Sequence, residues 1–135
     1  MLRVETISVS IFCPYQRAYD FLANPKNLFS WANVLGGKAH PVSPLEWVAE
    51  EAAFTDQPVT IRFTPRNSHG VLDVSASIDD QQVFWAPVRA FRNGEGTELT
   101  MGLVQRDGQS DESFRSEIEW TRADLLTVKA LLETD

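Results

Sequence analysis

Only one stretch of the chain, from Ser110 onward, carries a long helical pattern, and it limits what the rest can do. Phe114, Ile118, Thr121, Leu125, Val128 and Leu132 recur at the spacing of one helix face. Ser110 is placed to cap the first turn. Asp111 and Glu112 suit the positive end of the helix dipole, and Lys129 suits the other end. Residues 34 to 106 read instead as short strands, at about 34–41, 45–54, 58–66, 71–78, 82–91 and 96–106. Turn signals such as TDQP, NSHG, DDQ and NGEG separate them. A sheet with an apolar face needs a cover, and this helix is the only element long enough to provide one. The pattern predicts an α+β fold, a curved antiparallel sheet of about seven strands around a long C-terminal helix.

The N-terminal part completes the order. Residues 2 to 12 alternate, with Ile7, Val9 and Ile11 on one face, as in a half-buried strand. Pro14 is tolerated at the start of a helix in which Tyr15, Ala18, Tyr19 and Leu22 share a face until Asn24-Pro25 ends it. A second short helix, KNLFSWA, brings Leu28, Phe29 and Trp31 together before Gly36-Gly37. No repeat or linker interrupts the 135 residues, so one domain over 1–135 is expected.

Composition excludes several partners. Twelve Lys and Arg against 19 Asp and Glu give a net charge of -7. With no basic stripe, nucleic acid and anionic membrane surfaces are disfavoured. No apolar run approaches the ~20 residues that span a bilayer, and the alternating N-terminus does not read as a signal peptide. Cys13 is the single cysteine, which rules out an intrachain disulfide and fits a reducing cytoplasm. Next to Pro14 at a strand-to-helix corner, it reads as a packed thiol rather than a nucleophile.

Hairpin arithmetic sets a register. A four-residue NSHG loop pairs Arg66 with Val71, Phe63 with Val74 and Ile61 with Ala76. A three-residue DDQ loop pairs Ala76 with Phe84, Val74 with Ala86 and Leu72 with Val88. An Asn93-Gly94 turn pairs Val88 with Leu99, Ala86 with Met101 and Phe84 with Leu103. Together these choices put Val59, Ile61, Phe63, Leu72, Val74, Ala76, Phe84, Ala86, Val88, Leu99, Met101 and Leu103 on one face. The opposite face holds Arg62, Asp73, Arg89 and Glu98 as a ladder of alternating charge, with Arg89 opposite Glu98. On this reading Asp73 points outward and His69 sits at a hairpin tip, so the two form no acid/base pair.

The segments ISVSIFCPYQRAYDFLANPKNLFSWA, NSHGVLDVSAS, NGEGTELTMGLVQRDGQSDESF and ADLLTVKALLE, in this order, resemble the SRPBCC (START/Bet v 1-like) superfamily, and within it the polyketide cyclase/dehydrase-like group. The resemblance implies a helix-grip fold. Members bind sterols, lipids, polyketides or plant hormones in a cavity, and some catalyse cyclisation, dehydration or hydrolysis there. Relatives of the GVLD segment often carry a histidine right after the aspartate. Here that position is Val74, which weakens the case for inherited acid/base chemistry.

The first expectation is therefore binding or transport of a small hydrophobic or aromatic molecule. Phe29, Trp31, Phe63, Val74, Phe84, Met101, Phe114 and Ile118 would contact it, and the alternative for each is a filled core. The second is a cyclase/dehydratase-like enzyme using His40 or Glu50 as acid/base. Glu50 faces the apolar side only if TDQP closes Phe54 against Val59, and Trp47 then lies on the opposite face. No cofactor is implied, and two His and one Cys far apart in sequence give no metal-ligand spacing. A third expectation is an interaction surface, a homodimer included, for which outward Trp85 and Phe91 are the hint.

Overall fold

The computed structural model describes residues 1–134. Its elements run β1 (Val4–Ile11), α1 (Tyr15–Ala23), α2 (Pro25–Trp31), one 3-10 turn (Asn33–Leu35), β2 (Ala39–Ser43), β3 (Glu46–Ala49), β4 (Val59–Phe63), β5 (Val74–Ile78), β6 (Gln81–Ala86), β7 (Val88–Asn93), β8 (Gly96–Val104) and α3 (Asp111–Glu133). All strand pairs are antiparallel. They form a three-stranded sheet ordered β1-β8-β7 and a five-stranded sheet ordered β2-β3-β4-β5-β6.

There are eight strands rather than seven because Pro87 divides the segment read as one strand over 82–91. Proline has no N–H to give a ladder, so the chain leaves one sheet at Ala86 and enters the other at Val88. The N–H of Val88 donates to Asp73 Oδ1 at 2.8 Å. Across the bend, the N–H of Gly102 donates to the Pro87 carbonyl at 2.9 Å. A Cβ on Gly102 would meet Pro87 Cγ at 2.8 Å, so bare backbone lets the strands cross this closely.

The expected faces survive, and several details of the register change. Phe63↔Val74, Ile61↔Ala76, Ala76↔Phe84 and Val74↔Ala86 are paired as expected. The β5–β6 turn has two residues, Asp79 and Asp80, both at positive φ, rather than three. A bulge between Ala76 and Ser77 then restores the register. In β7–β8 the turn centres on Gly94 and Glu95, with Gly94 at φ 59, so Val88 faces Met101 rather than Leu99. That two-residue slip keeps every side chain on its face.

The outer charge ladder does not form as drawn. Arg89 faces Thr100, while Glu98 faces Phe91 and accepts hydrogen bonds from Ser10 and Asn93. Arg62 pairs with Glu46 at 3.4 Å, directly across β3–β4. Asp73 serves the Pro87 bend. The expected Arg66–Val71 pair is also absent, because residues 64–73 form a loop organised by Asn67. The Asn67 Oδ1 accepts from the N–H groups of His69 and Val71, and its Nδ2 donates to the carbonyls of Pro65 and Val71.

α3 is held at both ends. Ser110 Oγ accepts from the Ser113 N–H at 3.0 Å, the expected cap. At the far end Arg17, from α1, donates to the carbonyls of Leu132 and Thr134 at 3.0 and 3.1 Å. Those carbonyls would otherwise lack partners, and the guanidinium charge suits the negative end of the dipole. Lys129 donates to the Ser10 carbonyl at 2.7 Å, and Glu133 accepts from the Phe12 N–H. The main core lies here, where Phe114, Leu125, Val128 and Leu132 pack against Ile7, Ile11, Leu99 and Leu103 of the three-stranded sheet. A smaller core of Ala49, Ala52, Val59, Ile61 and Ala76 lies on the five-stranded sheet.

Candidate functional site

Between α3, α2 with its following turn, and the inner faces of both sheets lies a cavity of about 570 Å³. Its size falls in the range of small-ligand pockets. The sheets contribute Ile61, Phe63, Val74, Ala76, Phe84, Val88, Leu99 and Met101, the loop before β5 adds Leu72, and the helical segments add Leu22, Leu28, Trp31, Leu35 and Leu125. Phe54 and Trp120, 49% and 57% exposed, also belong to the wall and mark its contact with solvent. The space exists because α3 packs closely on one sheet while the other curves away from it.

Of the residues expected to meet a ligand, Trp31, Phe63, Val74, Phe84 and Met101 line this cavity. Phe29, Phe114 and Ile118 do not. Phe29 leans on Trp47, with ring centroids 5.6 Å apart. Phe114 is fully enclosed in the core, with the Arg3 guanidinium 5.3 Å from its ring centre. Ile118 is buried in that same core. Of the helix stripe, Thr121 and Leu125 reach the cavity, and the rest of its α3 wall comes from the adjacent face, which carries Ser113, Ser116, Glu117, Trp120 and Asp124.

His40 and Glu50 lie off the cavity. They face each other on the outside of the β2–β3 hairpin, His40 Nδ1 to Glu50 Oε1 at 3.6 Å, with the histidine side chain 53% exposed. The register explains it. Ala49, not Phe54, pairs with Val59, an odd displacement that turns Glu50 outward and Trp47 inward. Trp85 and Phe91 are exposed, as the face assignment requires.

No protein-family model matches the sequence, and no curated protein matches it. Solved structures do resemble it. Ara h 8.0201 superposes with a TM-score of 0.70 at 9% identity, covering 100% of both chains. The Aha1 dimer from Colwellia psychrerythraea gives 0.71 at 11% identity, covering 98% of this chain and 97% of the other. DynU16, from the dynemicin biosynthetic locus, gives 0.66 at 15% identity over 97% of this chain and 47% of its own. The chain has the helix-grip fold. At these identities the likeness shows the fold alone.

The helix-grip cavity holds three charged residues, Arg106, Glu117 and Asp124, and they differ in how they are satisfied. Glu117 accepts from Gln109 Nε2 at 2.8 Å and pairs with Arg106 at 3.4 Å. Asp124, on the same helix face about two turns further on, is only 8% exposed. Asn33 Nδ2 donates to its Oδ1 over a long 3.4 Å. Burial pushes the Asp124 carboxyl above the usual carboxylate range, and the Asn33 backbone N–H, directed at the carboxylate, only partly opposes this. The sequence reading missed Asp124. The available signal was its place three residues after Thr121 and beside Leu125, where the packed side of the helix ends.

A pH dependence of stability follows. Because the native carboxyl titrates above its unfolded value, Asp124 costs nothing in acid. Its penalty grows as pH rises through the unfolded value of 3.8 and is complete above the native value. Asp124→Asn should therefore stabilise the protein at pH 7, and the gain should shrink as the pH is lowered toward 3. Urea unfolding at both pH values measures it. An equal gain at both would mean that the carboxyl is not desolvated.

Proposed function

We propose that the chain binds a small, predominantly apolar molecule in the cavity between α3 and the two sheets, as a carrier or sensor. The single observation behind this reading is an apolar space of about 570 Å³ inside a chain of 135 residues. Side chains around such a space lack packing partners on one side, and a fitting ligand supplies them. Phe63, Phe84 and Trp31 offer flat surfaces to an aromatic or polycyclic body. The enzymatic alternative built on His40 and Glu50 loses support, since neither side chain reaches this space. A single free cysteine, Cys13, fits work in a reducing cytoplasm.

Native mass spectrometry of the purified protein, with thermal-shift screening against sterols, fatty acids and aromatic polyketides, tests the reading. A ligand of at least one class should raise the melting temperature. Val74→Phe, which fills the space from the start of β5, should then weaken that ligand by about tenfold or more. No stabilising ligand in any class, or undiminished binding by the filled variant, would count against the cavity as the site.

A further inference from the structure

We infer that the ligand's apolar body ends in a hydrogen-bond donor, a hydroxyl or an ammonium group, and that Asp124 receives it. The inference rests on the cavity being a ligand site and specifies the chemistry of its contents. Asp124 lies in the middle of α3, far from either helix end, so the helix dipole does not stabilise its charge. Oδ1 has the long bond from the Asn33 side chain, the Asn33 backbone N–H lies toward the same carboxylate, and Oδ2 makes no close hydrogen bond among the described residues. Nor is Oδ2 sealed in packing, because no fully enclosed side-chain oxygen or nitrogen lacks a partner among those residues. Asp124 is 8% exposed and lines the cavity, so a further partner for this carboxylate would come from the cavity's contents.

The charges around it sharpen the choice. Arg106 and Glu117 offset one another, so the unbalanced group on the wall is Asp124. A donor on the ligand supplies the missing partner. A bare hydrocarbon leaves the oxygen without one. A ligand carboxylate brings like charge against it beside a largely apolar wall.

Four probes with one ring system separate these cases: 2-naphthylmethylamine, 2-naphthol, naphthalene and 2-naphthoate, titrated calorimetrically into the intact protein at pH 7. The amine or the naphthol should bind about tenfold or more tighter than 2-naphthoate. Which of the two binds tighter distinguishes an ammonium from a hydroxyl donor. In Asp124→Asn, checked for an unchanged fold by its unfolding transition, the gap between amine and naphthoate should collapse. Asp124→Glu should restore part of it. Naphthoate binding as tightly as the donors, or a ranking that survives in Asp124→Asn, overturns the inference while leaving the cavity a binding site. Failure of all four probes to bind counts against the cavity reading and the inference together.

Discussion

Phe114→Ala should lower the unfolding free energy by about 3–5 kcal/mol, the cost of emptying an enclosed aromatic site. The ring is fully buried between α3 and the three-stranded sheet, in the cluster with Ile7, Leu99 and Leu103. Phe84 provides the comparison. It is only partly buried and lines the cavity, so one side of its ring already faces open space. Phe84→Ala should cost about 1–2 kcal/mol, because few packing contacts are lost there and little new void is created. Urea unfolding of both variants makes the comparison, and equal losses would contradict the division between core and wall. The pair also bears on function. Phe84→Ala should weaken ligand binding at the native fold, whereas Phe114→Ala should act through stability.

Gly70→Ala should be nearly as damaging, at about 3 kcal/mol. Gly70 holds φ at +69°, and a Cβ there would lie 1.9 Å from the Ala90 carbonyl oxygen and 3.0 Å from Tyr15 Oη. Left-handed strain accounts for about 1–2 kcal/mol of the loss. The remainder comes from the joint between the loop and β7, where the Ala90 N–H donates to the Gly70 carbonyl and the Leu72 N–H to the Val88 carbonyl. Both bonds must lengthen if the backbones separate, at about 1 kcal/mol each. Thermal unfolding of Gly70→Ala beside His69→Ala checks the claim. The His69 side chain is exposed at the same loop, so its removal should change little. Comparable losses would mean that the close approach at Gly70 is not what matters.

The sequence made the faces of the sheet legible and the exact joints less so, for a physical reason. A side-chain pattern of period two reports which face a residue occupies, and an even slip leaves that report unchanged. Moving the β7–β8 turn by one residue therefore shifts the register by two, with no effect on the inward set of Val88, Leu99 and Met101. An odd displacement is not forgiven, and Glu50 was such a case. The loop from residue 50 to 58 follows the four-residue β3, and nothing in the alternation marked where pairing stopped. Pro87 was a visible signal for the break between β6 and β7, and Asn67 a visible one for its loop. Asp124 was hardest to find. A short acidic residue beside a helix's apolar stripe ordinarily faces water, and only the gap between helix and second sheet makes it a wall residue.

That gap has a consequence for how such a chain can change. α3 is secured at its two ends and along the three-stranded sheet, where capping, Arg17 and the main core meet. Most of the cavity's sheet wall belongs to the other, five-stranded sheet, whose own small core does not include α3. Stability and ligand choice thus rest on largely separate sets of residues. Substitutions at Phe63, Val74 or Phe84 can reshape the cavity while the helix keeps its seat, so specificity can drift between related chains without each step endangering the fold.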